Sequence, residues 1–187
     1  MKQKDQIEKE LLEYNKTNQR IVKFTKTKLL KHLNAIEKSR DTGASSIASI
    51  HKPIREWSKD DITSWATKIK ESGKMTVKNN LDEVYGVICH AVKLIYKYYP
   101  RDTQITTVLL SSLENKASVL HQVNTGEGKT LTIAIHAIIL CLFGHKVDIV
   151  TSSEVLAERD FKSMQSLYSL FKITASHNCS SIVGNKI

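Results

Sequence analysis

Up to Leu113 the apolar residues of this chain recur at helical spacing; after that they gather into short runs separated by turns. In residues 2–38, Ile7, Leu11, Ile21, Leu29, Leu33 and Ile36 fall at roughly helical intervals with lysines between them, which predicts a basic helical arm over 1–40. The small, polar stretch Asp41–Lys52 leads into Pro53 and reads as a linker over 41–53. A helical region follows over 54–100. Ser58 and Asp61 have the spacing of a capping box, and the helix behind them places Ile62, Trp65 and Ile69 on one face before Gly73. Leu81, Val84, Ile88, Ala91, Val92 and Ile95 form one stripe, stopped by Pro100. Trp57, Trp65, Tyr85 and Tyr96 belong with these stripes as core residues, not as a ligand cage. After Arg101 the helical pattern resumes with Ile105, Val108, Leu109 and Leu113.

The pattern then changes period. Ser118 to Val123 is a short apolar run with the look of a buried strand, broken by Asn124-Thr125-Gly126-Glu127-Gly128. Lys129 to Phe143 reads as a helix that buries Leu131, Ile135, Ile138 and Ile139 and stops at Gly144. Val147 to Thr151 is a second strand candidate. Ser152 and Ser153 are N-cap candidates for a helix carrying Val155, Leu156, Phe161, Met164, Leu167 and Tyr168, and Phe171 to Ala175 is a third strand candidate. Strand and helix in alternation predict an α/β fold: a partial P-loop (RecA-like) parallel sheet over 101–187, with an all-helical extension before it.

Charge and composition narrow the partners. The formal charge is +9, but residues 1–40 hold 11 Lys/Arg against 5 Asp/Glu, while the rest hold 17 against 14. The basic excess therefore sits on the N-terminal arm and not around the glycine turn. Such an arm suits an acidic membrane surface or nucleic acid, and equally a solvated face on its own domain. No aromatic residues interleave with the lysines to stack on bases, so nucleic acid is not the expected partner. Cys89, Cys141 and Cys179 are widely spaced, with no ligand spacing around them, and imply neither a disulfide framework nor a zinc site. The first residues lack the apolar segment of a secretory signal, and the longest apolar run, Ile133 to Phe143, is too short to cross a bilayer. A cytoplasmic protein, peripheral to the membrane at most, is the expectation.

The chemistry centres on Thr125-Gly126-Glu127-Gly128-Lys129-Thr130. Strand, glycine turn and helix in succession make a phosphate-binding loop. Gly126 and Gly128 can take positive φ and leave no Cβ between main chain and anion, and the turn aims several N–H groups and a helix N-terminus at one point. Lys129 is placed to reach the β- and γ-phosphates of a nucleotide, and the Thr130 hydroxyl to ligate Mg2+. The strict motif has Gly at position 123, where this chain has Val123. An ordinary glycine turn with a solvated lysine is the plainer alternative. Gln104, about 20 residues upstream at a helix start, offers an amide donor and acceptor side by side, which suits adenine, and Arg101 supports the same pocket.

Three segments together resemble one family. Thr125-Gly126-Glu127-Gly128-Lys129-Thr130-Leu131 resembles the phosphate loop of SecA, the ATP-driven preprotein translocation motor. Arg101-Asp102-Thr103-Gln104 resembles the SecA segment ending in its adenine-reading Gln, and the run from Val147 to Asp160 resembles a SecA strand and helix ending in Leu-Ala-x-Arg-Asp. The likeness covers roughly residues 80–178, with Asn124 and Ser152-Ser153-Glu154 departing from the bacterial wording. It implies ATP and Mg2+ as cofactors, held by Thr125 to Thr130 with Gln104 and Arg101, and a preprotein or membrane surface as partner through a full-length motor. No Asp-Glu-x-Asp stretch follows the third apolar run. The resemblance assigns that stretch to magnesium and the attacking water. The expectation is thus a fragment or degenerate copy without the Walker B strand, with little or no hydrolysis of its own. Two other readings stay open: part of a nucleic-acid helicase-type motor, and a non-catalytic interaction module with a vestigial nucleotide site.

Overall fold

The computed structural model describes residues 26–45, 47–113 and 119–179. The called features at Ile7, Leu11, Ile21 and Ser118 lie outside these residues. Among the described residues seven α-helices run in order: α1 (Lys26–Thr42), α2 (Lys59–Ser72), α3 (Lys74–Asn79), α4 (Leu81–Tyr96), α5 (Asp102–Leu113), α6 (Lys129–Leu142) and α7 (Glu154–Leu170), with one 3-10 turn at Ile54–Glu56.

Helix α4 is the axle. From Val84 to Val92 every residue is buried, so neighbours cover it on all sides. It ends at Lys97, whose φ of 68° closes the helix three residues before Pro100. Helix α1 lays Leu29, Leu33 and Ile36, spaced four and three apart, against it. The helices meet closely because α4 carries Gly86: a Cβ there would sit 3.2 Å from the backbone nitrogen of Arg40. Around the contact, His32 Nδ1 meets Asp82 at 3.1 Å and the Arg40 guanidinium lies 4.3 Å from the centre of the Tyr99 ring.

Helix α2 starts on the capping box anticipated from Ser58 and Asp61: each residue's side chain accepts from the other's backbone N–H. Lys52 adds an ion pair to Asp61 at 2.7 Å. Burial works against the Asp61 carboxylate, but hydrogen bonds from Lys52 and Ser58 outweigh it and hold the group below the usual carboxylate range. Ile62, Trp65, Ala66 and Ile69 face inward. The Trp65 indole donates to Glu83 at 2.8 Å, and Ser45, in an isolated bridge with Ile50, donates to the same carboxylate. Trp65 also meets Phe171 edge-on, with ring centres 6.4 Å apart. Helix α7 joins through Tyr96, whose hydroxyl donates to Ser163 O at 2.7 Å, and through Lys70, which donates to Lys172 O at 2.8 Å. Helix α6 presents Leu131, Ala134, Ile135, Ile138, Ile139 and Leu142 to the shared core, between α5 and α7.

The expectation of an α/β fold with a parallel P-loop (RecA-like) sheet is overturned: among the described residues there is no strand and no sheet. Residues 119–123 and 147–151 are non-helical but join no ladder. They are not buried as the apolar run implied, since Leu120 is 96% and Val150 92% exposed. The third candidate is a helix end. Phe171 is fully buried as the cap of α7, Lys172 takes φ of 52°, and the N–H of Ile173 returns to Tyr168 O at 3.1 Å, a Schellman closure. The physical reason is that a strand is defined by its partner. Periodicity can mark a five-residue apolar run as extended, but hydrogen bonds to a neighbour decide whether it is a strand.

Candidate nucleotide site

The glycine turn lies between residues 119–123 and the start of α6. Gly126 has φ of 86°, and Gly128, which caps α6, has φ of 77° and ψ of 43°. Both values are in the left-handed region that only glycine enters without steric cost. A turn bond from Glu127 N to Asn124 O at 3.3 Å folds the segment, and no side chain caps the first turn of α6. The amides there are therefore aimed outward with the positive end of the helix behind them. At Gly126 nothing lies within 4 Å of where a Cβ would stand, so the outer side of the turn is open. Thr125 is exposed and Thr130, second residue of α6, is half-buried.

Lys129 heads α6 and bends back onto its own loop. Its ammonium donates to Val123 O at 2.7 Å and Asn124 O at 3.0 Å. A phosphate at the turn would compete with those two carbonyls for the same charge.

Arg101 and Gln104 brace the turn from the start of α5. Gln104 is 6% exposed, and its Nε2 donates to Glu127 O and to Gly128 O, each at 3.1 Å. Its Oε1 accepts from the Arg101 backbone N–H at 2.9 Å, which is half of a capping box for α5. A Cβ at position 128 would fall 2.3 Å from Gln104 Nε2, so the brace itself requires glycine there. Arg101 completes it with an ion pair to Glu127 at 2.8 Å between half-exposed side chains. The structure thus brings together all eight residues expected at the site, Arg101, Gln104 and Thr125 to Thr130. The Gln104 amide faces the loop's main chain, a partnership that residues more than 20 apart in sequence gave no signal for.

Sequence reasoning passed over two histidines behind the loop. His121 and His136 line one cavity of about 160 Å³ with Thr107, Ser111, Val123 and Lys129. Ser111 Oγ lies 3.1 Å from Thr107 O and 2.6 Å from His121 Nε2, a hydrogen bond that ties the imidazole to α5. Burial lowers the basicity of both imidazoles, and at His136 the nearby His121 lowers it further. Nothing in the spacing of 121 and 136 pairs the two rings; α5 does so by closing the cavity around both.

No group of three or more His, Cys, Asp or Glu able to hold a metal occurs among the described residues, and no helix there is long and apolar enough to cross a membrane. The Cys89 thiol is pushed up to about 12, chiefly by burial, and is inert as a ligand. The turn, in contrast, suits a nucleotide with Mg2+: an open face at Gly126, uncapped helix amides, one ammonium and one hydroxyl at positions 129 and 130. Lys129 and the amides of Gly126 to Lys129 would hold the phosphates, and Thr130 the metal.

The SecA DEAD-like domain family matches residues 4–185. Among curated proteins, the chain is 34% identical over 142 residues to a protein translocase subunit SecA 2 of Staphylococcus aureus (strain MRSA252), covering 70% of this chain and 17% of that protein. It is 34% identical over 106 residues to the protein translocase subunit SecA 2 of Staphylococcus haemolyticus, 57% of this chain and 13% of the relative. The chain therefore spans about a sixth of the length of the curated relatives it matches. No solved structure matches it. Given a match running almost end to end, this chain belongs to the SecA DEAD-like domain family.

Proposed function

We propose that this chain is the nucleotide-binding part of a SecA-like motor for protein translocation, taking ATP with Mg2+ and hydrolysing it slowly or not at all by itself. The observation that carries the reading is the two-glycine turn capping α6, with Lys129 at its head and its open face at Gly126. Lys129, now on the carbonyls of Val123 and Asn124, would hold the β- and γ-phosphates with the amides of Gly126 to Lys129, and Thr130 would hold the metal. Gln104 and Arg101 hold the turn in register with α5 and border the base. ATP, when bound, supplies the free energy of phosphoryl transfer. The partner is a preprotein or a membrane surface, reached through a longer motor on the cytoplasmic side; the relatives' names call them protein translocase subunits and support the first. A nucleic-acid partner has no support in the charge distribution around the turn.

Nucleotide titration of the wild type against Lys129→Ala tests this. Losing a charge-assisted hydrogen bond worth about 1.5–3 kcal/mol weakens ATP binding by roughly 10- to 150-fold. Equal and negligible affinity in both proteins would overturn the reading in favour of a non-catalytic module with a vestigial site. Turnover of about 1 per second or faster would overturn the claim of slow hydrolysis.

A further inference from the structure

We infer that His121 and His136 form a proton-responsive back wall of the nucleotide site, so that anion affinity at the Lys129 loop rises when these imidazoles take up a proton. This rests on the ATP-binding reading above and names a regulation of that same site. Three observations carry it. Both imidazoles line one cavity, and that cavity is also walled by Lys129 and Val123, the residues at the mouth of the phosphate turn. The walls come from α5 (Thr107, Val108, Ser111), from residues 121–123, and from α6 (Lys129, Thr132, Ile133, His136). Among these described lining residues Lys129 is the sole fixed charge and none is a carboxylate.

The geometry also says what a proton would leave intact. A protonated His121 carries hydrogen on both nitrogens, so Nε2 donates to Ser111 Oγ while Ser111 donates to Thr107 O. Protonation thus adds charge behind the loop and leaves the tie to α5 in place. Burial lowers the basicity of both rings, and His121 lowers that of His136 further, so the response lies on the acid side. A phosphate chain gripped at the turn is the group such a charge would favour. By linkage, nucleotide must in turn make the imidazoles more basic.

The test is ATP–Mg2+ affinity at about pH 8 and about pH 6 in the wild type and in His121→Gln/His136→Gln. The γ-phosphate of ATP itself titrates on the acid side, alike for both proteins, so the readout is the difference between them. A unit charge several ångströms away in a partly wet site gives the wild type roughly a two- to fivefold greater gain on acidification than the variant. If the double variant does not fold, histidine NMR titration of the wild type decides: saturating nucleotide moves the midpoints of His121 and His136 upward. The same pH response in both proteins, or midpoints that nucleotide does not move, would overturn the inference while ATP binding stands. Absence of ATP binding at either pH would sink the parent reading and this inference with it.

Discussion

Replacing Gln104 by Glu separates two roles that one side chain now performs. The amide caps α5 through Oε1, which accepts from Arg101 N, and braces the glycine turn through Nε2, which donates to Glu127 O and Gly128 O. A glutamate keeps the acceptor, and its charge suits a helix N-terminus, so the cap survives or improves by about 0.3–1 kcal/mol. The brace is inverted, because a carboxylate oxygen then faces two carbonyl oxygens 3.1 Å away. Two hydrogen bonds of about 1 kcal/mol each are lost. Gly128 O retains bonds from Thr132 N and Thr132 Oγ1, which limits the damage on that side. Glu127 O has no such second partner among the described hydrogen bonds. With repulsion included and the improved cap subtracted, the net loss is about 2–3 kcal/mol. Gln104→Ala removes the cap as well and falls in the same range without repulsion. Urea melts give the stability change, and amide hydrogen exchange at Glu127 to Thr130 gives its location. The brace reasoning predicts faster exchange in the turn with α5 unchanged in Gln104→Glu. A variant within about 0.5 kcal/mol of wild type, with turn amides as protected as before, would refute it.

Two further outcomes follow from the helical core. His90 is buried with Nε2 on Trp57 O at 2.9 Å and Nδ1 lacking a partner, and burial is the main force lowering its basicity, partly offset by that hydrogen bond. The unfolded chain therefore binds protons more readily, so stability is complete above the unfolded value of about 6.5 and is lost as pH falls below it. His121 and His136 shift in the same sense and add to the loss. Thermal melts from neutral pH downward should steepen in the wild type and flatten in His90→Gln. Gly86→Ala puts a methyl 3.2 Å from Arg40 N and 3.5 Å from Ile36 O, forcing α1 off α4 at a cost of about 1–3 kcal/mol by denaturant unfolding. An unchanged midpoint would mean α1 moves freely over α4.

How far the site could be read in advance differs residue by residue. Gly126, Gly128, Lys129 and Thr130 are contiguous, and the conformations they need are local, so spacing alone located the turn. Gln104 was found from its position before the loop, but its hold on Glu127 O and Gly128 O depends on how α5 sits against α6. Local pattern carries no information about that. The histidines at 121 and 136 were invisible for the same reason: neither ring is notable until a third element, α5, closes a cavity around both.

The fold divides in the same way. The helices were fixed by stripes that any solvent-facing helix must show: Leu29, Leu33 and Ile36 in α1, Ile62, Trp65 and Ile69 in α2, and Leu131, Ile135 and Ile138 in α6. Caps followed too, because Ser58 and Asp61 satisfy each other's backbone within one turn. The three apolar runs at 118–123, 147–151 and 171–175 were another matter. An α-helix satisfies its hydrogen bonds from its own sequence, four residues along, and so announces itself locally. A strand takes them from a distant neighbour, and among the described residues these runs have none: Leu120 and Val150 face solvent and Phe171 ends a helix.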